Sequence, residues 1–255
     1  MKPDTSLQAA CRHCQDNAPL NFDFSFAFQP IVDSRMQRIV SYEALVRGPG
    51  GEPAGGIFSR LNSDNLYRFD QACRVRAIKL AAGLKLQTNL NINFLPNAVY
   101  DPHLCIRTTL AAAKEYGFPT ERIVFEVVEA EQVKDHEKLA HIIEVYSEMG
   151  FLTAIDDFGA GYAGLNLLAE YQPHIIKLDR KLISDIDHNP VKQAIVRGIV
   201  QVCDELQVEL LGEGVEKREE YRWLSDAGIS LFQGYYFAKP GFEALPQVEP
   251  ALFAT

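Results

Sequence analysis

The chain has 255 residues, 47% hydrophobic and 23% charged, with 34 acids against 25 bases and a formal net charge of −9. That is ordinary globular composition with enough length to bury a large core, and it excludes a disordered chain, a collagen-like fibre and a disulfide-stapled miniprotein. So acidic a balance argues against polymeric nucleic acid as a partner, while a small anionic ligand stays admissible where metal ions supply positive charge.

Residues 1–22 have no hydrophobic periodicity and no apolar signal core, and read as a lead-in segment. No run approaches the roughly 20 apolar residues needed to span a bilayer, so the expectation is a cytoplasmic protein without a membrane segment. The five cysteines (Cys11, Cys14, Cys73, Cys105, Cys203) are odd in number, and three lie in helical patterns, as expected of reduced thiols. Cys11, His13 and Cys14 make at most half a zinc site, because no second Cys-x-x-Cys follows. A flexible lead-in is the favoured reading there unless a dimer supplies the missing ligands.

Strand-like apolar runs then follow in order: Phe24–Val32, Val40–Val46, Leu90–Phe94, Ile123–Val128, Phe151–Ile155, His174–Leu178, Val208–Leu211 and Leu231–Phe237. The short polar link between the first two predicts a hairpin. Apolar residues at three and four spacing predict helices over Asp70–Ala82, Cys105–Tyr116, Asp135–Met149, Asn189–Cys203 and Arg218–Ala227. Gly83, Gly117, Gly150 and Gly228 stand as their stops. The alternating Phe22, Phe24, Phe26 and Phe28 are expected to fill core or pack a helix, and the glycine-rich stretch 48–56 to form a surface loop. Eight strands with helical crossovers predict a modified (β/α)8 TIM-like barrel with an antiparallel first strand. An open doubly wound sheet is the competing arrangement.

Polar residues interrupt these apolar strands near their C-terminal ends. They are Glu43, Asn93 (alternating with Asn89 and Asn91 on one face), Glu126, the adjacent Asp156 and Asp157, Lys177, Glu213 and Gln233. Any one of them is explained by a strand end reaching solvent. Together they fit the catalytic rim of a barrel, where residues from several strands converge. Crowded carboxylates repel unless cations bind, and oxygen ligands of this kind suit Mg2+ or Mn2+. Asp156 and Asp157 can place two ions side by side, with one carboxylate bridging, for attack of water on a phosphoryl group. Lys177 is either a catalytic cation or a structural salt-bridge partner, and spacing alone does not separate the two.

In this order the residues resemble the EAL-domain family of cyclic di-GMP phosphodiesterases, over about residues 24–245. The resemblance rests on Gln29-Pro30-Ile31-Val32, Glu43-Ala44-Leu45-Val46-Arg47, Ile92-Asn93-Phe94 and Glu126-Val127-Val128-Glu129. It continues in Asp156-Asp157-Phe158-Gly159, Lys177-Leu178-Asp179, Glu213-Gly214-Val215-Glu216 and Gln233 to Pro240. It implies a phosphodiesterase domain over residues 23–245 with a tail at 246–255, usually dimeric, hydrolysing cyclic di-GMP to linear pGpG with two Mg2+ or Mn2+ ions. The rival readings are a non-catalytic cyclic di-GMP-binding module and a protein-docking module.

Carried over, the resemblance makes Glu43, Asn93, Glu126, Asp156, Asp157 and Glu213 metal ligands. Lys177, Glu213 and Gln233 become catalytic groups near the water. Gln29, Leu45, Arg47 and Asp179 become substrate-facing, and Glu129 and Glu216 supporting acids. Val128, Ala130 and Ala160 depart from the family's hydroxyl-bearing pattern and touch the loop-support region rather than the metal ligands. The stretch from Gly48 to Phe69 also departs from the commoner pattern.

Overall fold

The computed structural model describes residues 20–128, 136–159 and 164–253. Glu129, Ala130, Ala160 and the Cys11–Cys14 cluster lie outside them. Nine strands form one sheet: β1 (Ser25–Asp33), β2 (Arg38–Arg47), β3 (Asn89–Phe94), β4 (Ile123–Val128), β5 (Leu152–Phe158), β6 (Ile175–Leu178), β7 (Glu209–Gly212), β8 (Leu231–Phe232) and β9 (Gly241–Phe242). β2 to β8 run parallel in chain order, and β1 closes the ring by pairing antiparallel with both β2 and β8. The result is a closed eight-stranded barrel with an antiparallel first strand. The open doubly wound alternative is ruled out. The ninth strand, β9, is two residues long and pairs with Ala27 and Phe28 of β1.

The main crossover helices are α1 (Leu66–Gly83), α2 (Arg107–Tyr116), α3 (His136–Glu148), α4 (Gly164–Glu170), α5 (Pro190–Leu206) and α6 (Arg218–Asp226). Five match the predicted helices. α4 escapes the pattern because it is only seven residues long, too short for periodicity to register. Short helical turns at Gly55–Phe58, Pro102–Cys105 and Arg180–Ile183 fill connecting loops, the first of them starting at the end of the expected surface loop. Gly117 ends α2 in the left-handed region as expected, whereas Gly83 is the last helical residue of α1 and Lys85 takes the positive φ beyond it.

Two layers of packing hold the barrel. Ile31, Leu211 and Leu231 form a small cluster of their own, with Val40 and Ile175 packed against it. The main core lies between strands and helices. Phe22, Phe24, Phe26 and Phe28 are all buried, and Phe24 meets Phe69 of α1 with ring centroids 5.1 Å apart, as expected of residues that pack a helix. At the other end of the chain Phe253 is buried, and Pro246 accepts a hydrogen bond from the Tyr42 hydroxyl at 2.7 Å. Among the described residues no helix is long and apolar enough to cross a membrane.

Candidate active site

Every polar residue singled out in the strands from β2 to β6 sits inside its strand, and two more follow β7 and β8 directly. The parallel register sets Asn93 beside Glu126 and Glu43 beside Asn91. Asp156 ends up level with Val128, one step nearer the rim. Glu213 leaves β7 immediately after Gly212, and Gln233 leaves β8 after Phe232. The path of Gln233 is fixed by Gly234, where a Cβ would stand 2.0 Å from the Val215 carbonyl oxygen, so the two backbones touch only because that residue is glycine.

The side chains meet at one ammonium. Lys177, fully buried, places Nζ 3.0 Å from Asp156 Oδ1, 3.2 Å from Glu126 Oε2, 3.3 Å from Glu43 Oε2 and 3.5 Å from Glu213 Oε2. Neutral amides hold the acids from the other side. Asn93 Nδ2 donates to Glu43 Oε1 at 2.9 Å, Gln233 Nε2 to Glu43 Oε2 at 2.9 Å, and Asn91 Nδ2 to Glu126 Oε1 at 2.7 Å. The Ser41 hydroxyl in turn bonds Asn91 Oδ1, which fixes the amide's orientation. The sequence reading set Asn91 on this face but gave it no role. Its signal was the same alternation that drew attention to Asn93.

The charges do not balance. Burial pushes the Glu126 carboxyl well above the usual carboxylate range, with Lys177 only partly opposing. Burial alone would raise Asp156 too, but Lys177 and a hydrogen bond with Glu213 outweigh it and leave the group below its ordinary value. Glu213 is pushed up to about 9 by burial, against the pull of Lys177 and with the help of Asp156. Lys177 loses basicity to burial and regains more from its four acids, ending well above the ordinary lysine range. Asp157 is raised to about 6 by burial and by Asp156 and Asp179 beside it. Asp157 also stands at φ +55°, a left-handed backbone that side chains seldom adopt, and its N–H donates to Asp156 Oδ1 at 2.9 Å.

Two overlapping sets of carboxylates are close enough to share an ion each: Glu43, Glu126 and Asp156, then Asp156, Asp157 and Glu213. Asp156 belongs to both. The carboxylates, with Glu213 Oε2 buried and lacking a hydrogen-bond partner among the described residues, make an oxygen donor set that hard divalent cations fit.

Leu45 and Arg47 line a cleft of about 530 Å3 that also reaches Glu43, Asp156, Asp157 and Glu213. Arg47 is half-buried and donates to the Val46 carbonyl at 2.7 Å. Gln29 is buried on β1 and donates to the Ala238 carbonyl at 3.2 Å. Asp179 caps the turn Arg180–Ile183 through the Lys181 N–H at 2.9 Å. Glu216 stands apart from the cluster, exposed and paired with Arg180 at 2.8 Å.

A closed barrel with an antiparallel first strand, carrying an acid cluster around one buried lysine at its rim, is the class of architecture the fold and the site define. Residues 13–240 match the model of the EAL domain, and the chain belongs to the EAL domain family. A standalone EAL protein from Vibrio cholerae O395, solved in a c-di-GMP-bound form, is 54% identical with a TM-score of 0.90; the match covers 93% of this chain and 100% of that one. Klebsiella pneumoniae BlrP1, in a manganese/cyclic di-GMP complex, is 35% identical with a TM-score of 0.84, covering 90% of this chain and 59% of that one. The blue light- and temperature-regulated antirepressor BluF of Escherichia coli (strain K12) is 33% identical over 224 residues, which are 88% of this chain and 56% of that protein. The chain thus spans about half the length of that curated relative.

Proposed function

We propose that this protein is a metal-dependent phosphodiesterase that hydrolyses cyclic di-GMP to linear pGpG. The observation that carries the reading is the convergence of Glu43, Glu126, Asp156 and Glu213 on Lys177 at 3.0–3.5 Å, with Asp156 common to two carboxylate sets. Glu43, Asn93, Glu126 and Asp156 would hold one Mg2+ or Mn2+, and Asp156, Asp157 and Glu213 a second. Bound there, the ions would polarise a phosphoryl oxygen and make a water acidic enough to attack at neutral pH.

The chain's own groups supply the rest. Lys177 is a fixed cation in a water-poor site, which stabilises negative charge developing on the phosphate. Asn93 and Gln233 orient Glu43, and Gln233 keeps its Oε1 free of other hydrogen bonds among the described residues, available to a water. Arg47 at the cleft wall suits a phosphate through charge-assisted hydrogen bonds, and Gln29, Leu45 and Asp179 complete the substrate surface. Glu129 and Glu216 act as supporting acids, Glu216 through Arg180 beside Asp179. Residues 23–245 form the catalytic unit, with a lead-in at 1–22 and a tail at 246–255, and the protein works in the cytoplasm. It acts as a homodimer, a reading supported by the exposed apolar residues Val191, Ile195, Val202 and Leu206 on α5.

Incubation with cyclic di-GMP and Mg2+ or Mn2+, followed by chromatography of the nucleotides, tests the reading. Appearance of pGpG is expected. Tight binding without turnover would select a binding module instead, and neither binding nor turnover a docking module.

A further inference from the structure

A pair of charges outside the acid cluster is sealed between helix and barrel. Asp70 and Arg74 stand one turn apart on α1, 2% and 0% exposed, and pair at 2.7 Å. Asp70 Oδ1 accepts from the Leu95 N–H at 2.9 Å, two residues beyond Asn93. Arg74 donates to the Tyr146 hydroxyl of α3 at 3.0 Å. Its guanidinium lies 5.5 Å from the Phe94 ring centre and 5.2 Å from that of Phe125. Alternation along a strand makes Phe94 the outward neighbour of Asn93, and Phe125 the outward neighbour of Glu126. The two rings meet edge to face with centroids 5.7 Å apart. One cation therefore grips the outer face of the two strands whose inner face carries Asn93 and Glu126.

Packing alone does not call for such a pair, since apolar residues of similar volume are often as stable as a buried ion pair or more so. Arg74 even leaves its Nε without a hydrogen-bond partner among the described residues. What the charges add over leucines is direction: a fixed acceptor for the Leu95 amide, and a rigid fork tying α1 to α3 across β3 and β4. We propose that Asp70 and Arg74 are positioning residues that hold β3 and β4 at the depth where Asn93 and Glu126 share a site with Glu43. The inference deepens the metal-site reading above and rests on it.

The test compares the parent protein with the double variant Asp70→Leu/Arg74→Met, which removes both charges and the acceptor for the Leu95 amide and keeps similar volumes. Tyr146→Phe, which deletes one oxygen, serves if the double variant does not fold. Calorimetry with Mn2+, turnover kinetics, melting curves and amide hydrogen exchange are read on each. Groups that orient metal ligands typically contribute about 10- to 100-fold in metal affinity or activity. The double variant is expected to lose about tenfold in Mn2+ affinity and in kcat with KM unchanged, to melt near the parent temperature, and to exchange faster at Asn93 and Leu95. Tyr146→Phe is expected to shift the same readouts in the same direction by less. Parental Mn2+ affinity, kcat and exchange at the β3 end, with only the melting temperature changed, would overturn the proposal and leave the pair structural. If the parent itself binds no Mn2+ and cleaves nothing, the metal-site reading fails. Exchange then still decides: acceleration confined to the β3 and β4 ends supports positioning, and a uniform change overturns it.

Discussion

Gln233 and Glu43 lie 190 residues apart in the chain and meet inside the barrel, where the Gln233 amide donates to Glu43 Oε2 at 2.9 Å. They come from strands on either side of the antiparallel β1, so closing the barrel and orienting this carboxylate are one event. Gln233→Leu removes the donor and keeps the bulk. Mn2+ affinity or turnover is expected to fall about 10- to 100-fold, as for other groups that orient a ligand. The melting temperature should stay within about 4 °C of the parent's, the shift that about 1 kcal/mol gives in a chain of this size. Calorimetry and a melting curve check both, and parental affinity with parental turnover would refute the role.

Lys177 is a buried ion-pair partner, and its partners are the carboxylates of the candidate site, so the catalytic role proposed for it is read apart from its structural one by a single variant. Lys177→Met leaves four carboxylates facing one another, and breaking a buried pair in this way costs about 3–5 kcal/mol. The variant should melt early in EDTA and recover much of the loss in Mn2+, because bound cations replace the missing charge. Turnover should remain down by about 100-fold or more even where the fold is restored. Equal melting temperatures in EDTA for variant and parent would contradict this.

Metal uptake should release protons. Glu213 at about 9 and Asp157 at about 6 are both raised, so the metal-free protein near neutral pH holds a proton on Glu213 that a cation must displace. Mn2+ affinity is therefore expected to rise as the pH climbs through about 6 and on toward 9. Titration calorimetry in buffers of different ionisation enthalpy reads the proton count directly. Binding heats that do not vary with the buffer would refute it.

Asp157 sits at φ +55°, where a non-glycine residue carries about 1–3 kcal/mol of strain, with aspartate at the low end. Asp157→Gly should thus keep or raise stability in metal-free buffer, by up to about 1 kcal/mol, while turnover falls sharply. A variant that is clearly less stable in chemical denaturation would contradict the strain at this position, and one that cleaves normally would contradict the metal-ligand role proposed for Asp157.

Ile195, 46% exposed on α5 beside Val191, tests the proposed dimer. Ile195→Glu puts a charge into that apolar face and should shift the protein from dimer to monomer in sedimentation velocity. An unchanged dimer would move the interface elsewhere.

Much of the fold was legible because each strand is a short apolar run with turn residues at its ends, and because the hairpin from β1 to β2 has a short polar link. The acid cluster was legible for the opposite reason: Glu126 and Lys177 break apolar strands where solvent exposure is a poor explanation. What stayed hidden depends on contacts across the chain. Asp70 reads as one more polar residue on α1, and only the Leu95 amide at 2.9 Å reveals its use. The helical period likewise predicts a start at Asp70, four residues after α1 begins at Leu66, where the N-cap residue Asn65 makes no side-chain cap hydrogen bond. The common meeting point of four acids at Lys177 is a property of barrel closure that no local pattern encodes.

The antiparallel β1 has a consequence for how the chain reaches this state. Its partners on one side are β2, which follows at once, and on the other β8 and β9, whose pairing residues lie some two hundred positions away. During synthesis the β1–β2 hairpin emerges well before β8 and β9, and its open edge has to wait for them. Contacts this distant form late and slow folding, and an unpaired apolar edge invites association with neighbouring chains. Chains interrupted before Leu231 would therefore keep that edge open and accumulate in the insoluble fraction, while those reaching Phe242 could seal it.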